Sequence, residues 1–192
     1  MEKLIKQIRE MSMSELKSYA YTLKFLNQGS SRAVYALNKY YVIKIAINKI
    51  GYIQNKVEKN AYNKLKYKGM LNPIVTSDAR NRWIIAERCK DIADVSDTTL
   101  RKIAGTGYNG IRDVLMDCEP VFKTPNEVSE NFKAKIINHK LFKSKFGAEL
   151  KNFFKNKSTI TDFSTCNFGY NIKKKEIVMI DYGFDRTVER YY

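Results

Sequence analysis

The sequence predicts an α+β protein with two lobes, a mostly β part followed by a mostly α part. Short segments rich in β-branched and aromatic residues, separated by turn residues, occupy positions 23–47 and 73–87. Helical periodicity dominates from Ser96 to about Asn156. A chain of 192 residues is long enough to bury a core of its own. We therefore expect one domain, with a first lobe over residues 1–88 and a short helical second lobe over 89–192.

The first lobe begins as helix and continues as sheet. The pattern is helical up to about residue 22, and Ser12 or Ser14 is a candidate N-cap. Apolar residues at four-residue steps from Ile53 to Leu65 predict an amphipathic helix. The order strand, strand, strand, helix, strand, strand indicates a five-stranded antiparallel sheet. The strand segments are 23–28, 32–37, 40–47, 73–77 and 82–87.

The second lobe reads as helices closed by a hairpin. The predicted segments are helices at 97–104 and 111–118, a connection at 119–126, a long helix at 128–156, and strands at 168–171 and 175–180. Gly105 to Gly110 spell G-x-G-x-x-G, but a nucleotide-binding loop of that form follows a strand. The segment before Gly105 has a helical pattern, so we expect a connection between two helices.

Composition narrows the classes of function. Lys and Arg number 35 against 20 Asp and Glu, a net charge of +15 that favours acidic partners such as nucleotides, nucleic acid or an acidic protein. The three cysteines Cys89, Cys118 and Cys166 lack metal-ligand spacing, which favours reduced thiols and a cytoplasmic location. The single histidine, His139, disfavours zinc and Ser-His-Asp chemistry, and we expect it at the solvated surface. No apolar run approaches the length of a membrane span, so no membrane partner is expected.

Polar residues within apolar strands mark a candidate site. Lys44 lies between Ile43 and Ile45 and points to the opposite face of its strand. A buried ammonium group needs a partner, and Glu58 on the following helix is available. Later in the chain, Asp162 and Asn167 lie five residues apart, and Asp181 directly follows an apolar strand.

This arrangement resembles the protein-kinase-like superfamily, which includes protein kinases and small-molecule phosphotransferases, and in size it is similar to minimal bacterial or phage-type members. The resemblance covers about residues 26–185. In this alignment the family's glycine loop falls on Asn27 to Val34, with only Gly29 retained, and its V-A-I-K falls on Tyr41 to Lys44. Its helix glutamate corresponds to Glu58, and its hinge corresponds to Ala86 to Cys89. Its D-x-x-x-x-N falls on Asp162 to Asn167, and its D-F-G falls on Asp181 to Gly183.

The resemblance implies a phosphotransferase that uses ATP and Mg²⁺. Lys44, held by Glu58, would contact the α- and β-phosphates, and Asp162 would orient the acceptor hydroxyl or accept its proton. Asn167 and Asp181 would hold Mg²⁺. The remaining implied positions are Gly29, Ser30 and Ser31 over the phosphates, Val34 and Ala46 around adenine, and the backbone of Glu87 and Cys89 at the adenine edge.

Departures from the family leave other functions open. Ile160 and Thr161 replace the His-Arg or His-Gly that precedes the catalytic Asp, and few residues follow Gly183, so we expect no activation loop. A pseudokinase that docks an acidic protein through its basic surface is one alternative. A nucleic-acid-binding protein is another, because lysines and aromatic residues alternate around residues 151–155.

Overall fold

The computed structural model describes residues 1–64, 69–123, 129–155 and 163–183, together with Val188 and Arg190. They form the predicted α+β fold with a five-stranded antiparallel sheet. The helices are α1 (Glu2–Glu10), α2 (Met13–Ala20), α3 (Lys49–Lys64), α4 (Asp97–Ala104), α5 (Tyr108–Lys123), α6 (Glu130–Ile137) and α7 (Lys145–Lys155). The strands are β1 (Lys24–Gln28), β2 (Arg32–Ala36), β3 (Tyr41–Ala46), β4 (Ile74–Ser77), β5 (Trp83–Glu87), β6 (Cys89–Asp91), β7 (Phe168–Asn171) and β8 (Glu176–Met179).

The large sheet has the strand order β1-β2-β3-β5-β4, and its two faces differ in chemistry. One face of β3 carries Ile43 and Ile45, which pack with Trp83 and with Ile8 and Leu16 of α1 and α2. Ser12, one of the two N-cap candidates, caps α2 and forms a reciprocal capping box with Glu15. The two N-terminal helices therefore cover the face of the sheet that is turned away from Lys44.

Helix α3 packs against the sheet through a polar face. Its buried residues are Gly51, Gln54, Asn55 and Glu58, whereas the predicted apolar stripe that includes Ile53 is only partly buried. Leu65, the last residue of that stripe, lies outside the described residues. Gly51 allows the close approach, because a Cβ atom there would lie 2.2 Å from the backbone oxygen of Ser31. The sequence pattern identified the helix correctly but not the face that it buries.

The second lobe buries its apolar side chains among α4, α5, α7 and the strands β6-β7-β8. Three details differ from the sequence-based expectation. Helix α5 continues to Lys123 beyond the predicted end, and β6 is an additional strand of three residues that pairs with β7. The predicted long helix is interrupted between Ile137 and Lys145, where a 3-10 turn over Lys140–Lys143 intervenes.

Local capping explains the helix boundaries of this lobe. His139 is half-buried rather than fully solvated, and its Nδ1 accepts a hydrogen bond from the Leu141 amide at 3.2 Å, which caps the 3-10 turn. Gly105 has φ of 70° and forms the left-handed C-cap of α4. The G-x-G-x-x-G segment thus connects α4 to α5, as predicted. In the described part of the chain, no helix has the length and apolar character needed to span a bilayer.

The contact beneath Gly51 predicts the response to Gly51→Ala. Alanine favours helix by up to about 1 kcal/mol, but forcing a methyl group onto a backbone oxygen costs about 1–3 kcal/mol. We expect a lower free energy of unfolding in urea denaturation. Gly29→Ala is the matched control, since a Cβ there meets no atom within 4 Å, and its free energy of unfolding should change by less than about 0.5 kcal/mol. Equal effects of the two substitutions would contradict the close approach of α3.

Candidate active site

The Lys44–Glu58 ion pair lies on the face of the large sheet that α1 and α2 leave uncovered, called the inner face below. In the β-sheet register Lys44 is opposite Val34 of β2 and Ile84 of β5. Its Nζ donates to Glu58 Oε1 at 2.6 Å, and it also donates to the backbone carbonyl of Ile180. Lys44 is 6% exposed and Glu58 is fully buried. The structure therefore brings together the lysine and the glutamate that the sequence pattern paired.

Arg32 is a second buried cation at this site, and no motif in the sequence predicted it. It is opposite Ala46 in the register of β2 and β3, and so faces the same side as Lys44. Its Nη1 donates to Glu58 Oε2 at 2.6 Å and to Asn55 Oδ1 at 3.3 Å. Its Nη2 donates to Asp181. Glu58 and Asp181 raise the pKa of the Arg32 guanidinium and outweigh the opposing effect of burial.

Asp181 reaches the same cluster from the segment that follows β8. In the part of the chain that the structure describes, both hydrogen bonds to its carboxylate end on Oδ1, one from Arg32 and one from the Gly183 amide. Burial raises the pKa of Asp181, but the nearby charges of Arg32 and Lys44 lower it by more, to about 2. The side chain nevertheless remains 45% exposed. An ionised, partly accessible carboxylate thus borders the buried ion pairs.

Asn167 and Asp181 are the two positions where a divalent cation is expected. The backbone carbonyl of Asn167 accepts hydrogen bonds from the amides of Ile180 at 2.7 Å and Asp181 at 3.4 Å, which holds the two segments side by side. A carboxylate and a side-chain amide are oxygen ligands of the kind that Mg²⁺ prefers, so the donor chemistry fits that ion. Asp162, the predicted catalytic carboxylate, lies outside the described residues.

An apolar patch adjoins Lys44 on the inner face of the sheet. Val42, Ile84 and Ala86 are buried in it, and Val34 lies at its edge. Ala46, which was expected to pair with Val34 around adenine, lies beneath α3, where its Cα would be 3.0 Å from a Cβ at Gly51. Val42 precedes Lys44 by two residues in β3 and belongs to the patch, whereas Ala46 follows Lys44 by two residues. The adenine contact of Ala46 stays a prediction, and Val42 is a further candidate for it.

The turn between β1 and β2 makes specific internal contacts. The Gly29 amide donates to the carbonyl of Arg32 at 2.9 Å, and the Ser31 hydroxyl donates to Gln54 Oε1. The Ser30 carbonyl accepts a hydrogen bond from Asn48 Nδ2 at 2.9 Å. In this conformation the Gly29 amide is engaged within the hairpin. The phosphate-contacting role of Gly29, Ser30 and Ser31 stays a prediction.

The predicted hinge is braced by two buried asparagines. Asn72 Nδ2 donates to the carbonyl of Glu87 at 2.7 Å, and Asn171 Nδ2 donates to the Glu87 carboxylate at 2.7 Å. The thiol of Cys89 donates to Asn72 Oδ1 at 3.3 Å, and burial raises the pKa of this thiol to about 12. The ring of the buried Tyr182 lies 6.0 Å from Lys44 Nζ, and its hydroxyl donates a hydrogen bond to the Asn72 carbonyl at 2.8 Å. These bonds tie the hinge to the β7–β8 hairpin, and the adenine contacts of Glu87 and Cys89 stay predictions.

No family model matches the chain, and no curated protein matches it. Among solved structures it is similar to the ADP-bound aminoglycoside phosphotransferase APH(2'')-Ib, with 16% identity, a TM-score of 0.42, and coverage of 90% of this chain and 71% of that chain. It is also similar to the choline kinase LicA from Streptococcus pneumoniae, with 12% identity, a TM-score of 0.35, and coverage of 95% and 68%.

A third similar structure is SAICAR synthase from Saccharomyces cerevisiae, with 13% identity and a TM-score of 0.30. That match covers 36% of this chain and 35% of that chain, so it spans about a third of the length of SAICAR synthase. At these identities the function has to be inferred from the residues of this chain.

The low pKa of Asp181 predicts a pH dependence of stability. Because the folded pKa of about 2 lies below the ordinary value of 3.8, the unfolded chain takes up this proton first as the pH falls. The contribution of Asp181 is thus present at neutral pH and is lost between about pH 5 and pH 2. We expect the difference in unfolding free energy between the wild type and Asp181→Asn to shrink across that window in urea denaturation. A difference that stays constant with pH would contradict the ion pair.

Proposed function

We propose that this chain is a kinase-like phosphotransferase that moves the γ-phosphoryl group of ATP to a hydroxyl group of a protein or small molecule. One observation carries the proposal. Lys44, Glu58 and Asp181, which are far apart in sequence, converge at one edge of an apolar sheet face. A fixed cation, a carboxylate that can hold a metal and an apolar bed for a base are the parts that binding of a nucleoside triphosphate requires.

In the proposed complex, the apolar patch around Val42 and Ile84 packs against the adenine ring. Lys44 then lies at the phosphate end, and Glu58 holds its ammonium group in place at 2.6 Å. A lysine already fixed by a buried carboxylate loses little side-chain entropy when it binds a phosphate. The net charge of +15 also favours the approach of a polyanion.

The proposed chemical step uses groups whose roles come from the resemblance. The acceptor oxygen forms a bond to the γ-phosphorus, the bond from that phosphorus to the β,γ-bridging oxygen breaks, and ADP leaves with the electron pair. Asp162 takes the proton from the acceptor hydroxyl. Asn167 and Asp181 would hold Mg²⁺, which neutralises phosphate charge when bound. Lys44 positions the phosphates throughout this step.

A second candidate is a nucleotide-binding domain without transfer activity, which acts by docking an acidic protein. The contact between Arg32 and Asp181 favours it, because a carboxylate engaged by a guanidinium is less available to a metal. The two candidates share nucleotide binding and differ in phosphoryl transfer.

Substitution of Lys44 tests the binding step that both candidates share. Lys44→Met should weaken binding of a fluorescent ATP analogue by roughly tenfold or more, because a hydrogen bond to a charged group contributes about 1.5–3 kcal/mol. Lys59→Met is the matched control, since Lys59 lies on the same lobe and donates to Asn81 instead. Unchanged affinity in folded Lys44→Met would contradict the site.

Transfer of label from γ-labelled ATP separates the two candidates. The phosphotransferase predicts label on an acceptor, or on the chain itself, that is lost in Asp162→Asn while nucleotide affinity is kept. Nucleotide binding by the wild type with no transfer to protein or to aminoalcohol and sugar acceptors would favour the non-catalytic domain. Label transfer that persists in Asp162→Asn would contradict the assignment of the base.

A further inference from the structure

Among the residues that the structure describes at the candidate site, Arg32 supplies a second buried cation beside Lys44. Within the described ranges, this cluster consists of the cations Arg32 and Lys44 and the carboxylates Glu58 and Asp181. Glu58 is shared, since one of its oxygens accepts from Lys44 and the other from Arg32. Arg32 is 4% exposed, and in the family resemblance it stands where the third glycine of the loop is expected. A glycine there would leave Asp181 without this counter-ion.

We propose that Arg32 is an internal counter-ion that competes with a divalent cation for Asp181, so that the cation binds there only after Arg32 releases the carboxylate. The inference rests on the proposed function in one respect, namely that Asp181 is the cation ligand. It goes beyond that function because it gives Arg32 the role of controlling access of the cation. None of the family motifs quoted above has an arginine at this position.

The hydrogen bonds of Arg32 show how such a release can occur. Nη1 is held by Glu58 and Asn55, whereas Nη2 makes the contact with Asp181. Loss of the single contact to Asp181 therefore leaves the guanidinium anchored on α3. Two positive charges on neighbouring oxygens of one carboxylate repel each other, and partial burial strengthens that repulsion. Asp181 is consequently expected to favour either Arg32 or the metal, but not both together.

A purely structural role is the competing explanation. Arg32 joins β2 and α3 to the segment after β8, and a tie of this kind would stabilise the fold whether or not a cation binds. The two explanations differ in one measurable quantity. Competition predicts that neutralising Arg32 raises the affinity of the folded chain for a divalent cation, whereas a structural tie predicts lower stability with unchanged affinity.

Titration of the full chain with Mn²⁺, followed by electron paramagnetic resonance, measures that affinity without nucleotide or turnover. Arg32→Gln should bind Mn²⁺ about tenfold more tightly than the wild type or more, the size of effect that one neighbouring charge has on a carboxyl group. The gain should disappear in Arg32→Gln/Asp181→Asn. Arg82→Gln is the matched control, because it removes a guanidinium that pairs with Asp78 instead. Folded Arg32→Gln with the affinity of the wild type would overturn the proposal.

A second measurement keeps the proposal testable if Arg32→Gln does not fold. In the wild-type chain, Mg²⁺ titration followed by NMR should change the Arg32 guanidinium signals in step with the amide signals of Tyr182 and Gly183. Saturation of those amides with unchanged Arg32 signals would overturn the proposal, and so would the absence of any shift at tens of millimolar Mg²⁺. Tighter Mn²⁺ binding by Arg32→Gln with no nucleotide binding in any variant would support the counter-ion and reject the proposed function.

Discussion

The fully buried carboxylate of Glu58 is the constraint on which the site depends. An unpaired charge at that position would cost several kcal/mol, and in the structure each of its two oxygens is paired with a cation. Lys44 arrives from β3 and Arg32 from β2, each at 2.6 Å. Their side chains reach α3 because Gly51 lets the helix lie directly on the sheet. The other terminal nitrogen of Arg32, Nη2, donates to Asp181 and so joins the segment after β8 to β2 and α3. These ion pairs therefore link β2, β3, α3 and the segment after β8 at the candidate site.

Part of this arrangement could be predicted from the sequence for physical reasons. A lysine inside an apolar strand has to find a carboxylate, and Glu58 is the buried acid that pairs with it in the structure. Alternation along β3 correctly separated Lys44 from the face of Ile43 that α1 and α2 cover. The helical pattern before Gly105 correctly indicated that the G-x-G-x-x-G segment does not follow a strand as a nucleotide-binding loop would. In the structure Gly105 is the left-handed C-cap of α4. In each case the prediction starts from a strong local rule: the cost of a buried charge, the alternation of a strand, or the end of a helix.

The rest depends on pairing between elements, which local patterns do not report. Arg32 looks like an ordinary polar residue at the start of a strand, and only its register opposite Ala46 places it beside Lys44. The same register shows that Ala46 lies on the α3 side of Lys44 and away from the apolar patch. Helix α3 buries polar residues because its partners are charged, so apolar periodicity indicated the wrong face. The interruption at residues 138–144 depends on capping by His139, which helical periodicity does not show.

A double-mutant cycle on Arg32 and Asp181 tests the central claim most directly. The free energies of unfolding in urea are compared for the wild type, Arg32→Gln, Asp181→Asn and the double variant at neutral pH. If the two side chains form the ion pair that closes the charge cluster, the double variant will be less destabilised than the sum of the single variants, by about 1–3 kcal/mol. Additivity within about 0.5 kcal/mol would contradict the account, because independent residues give that result.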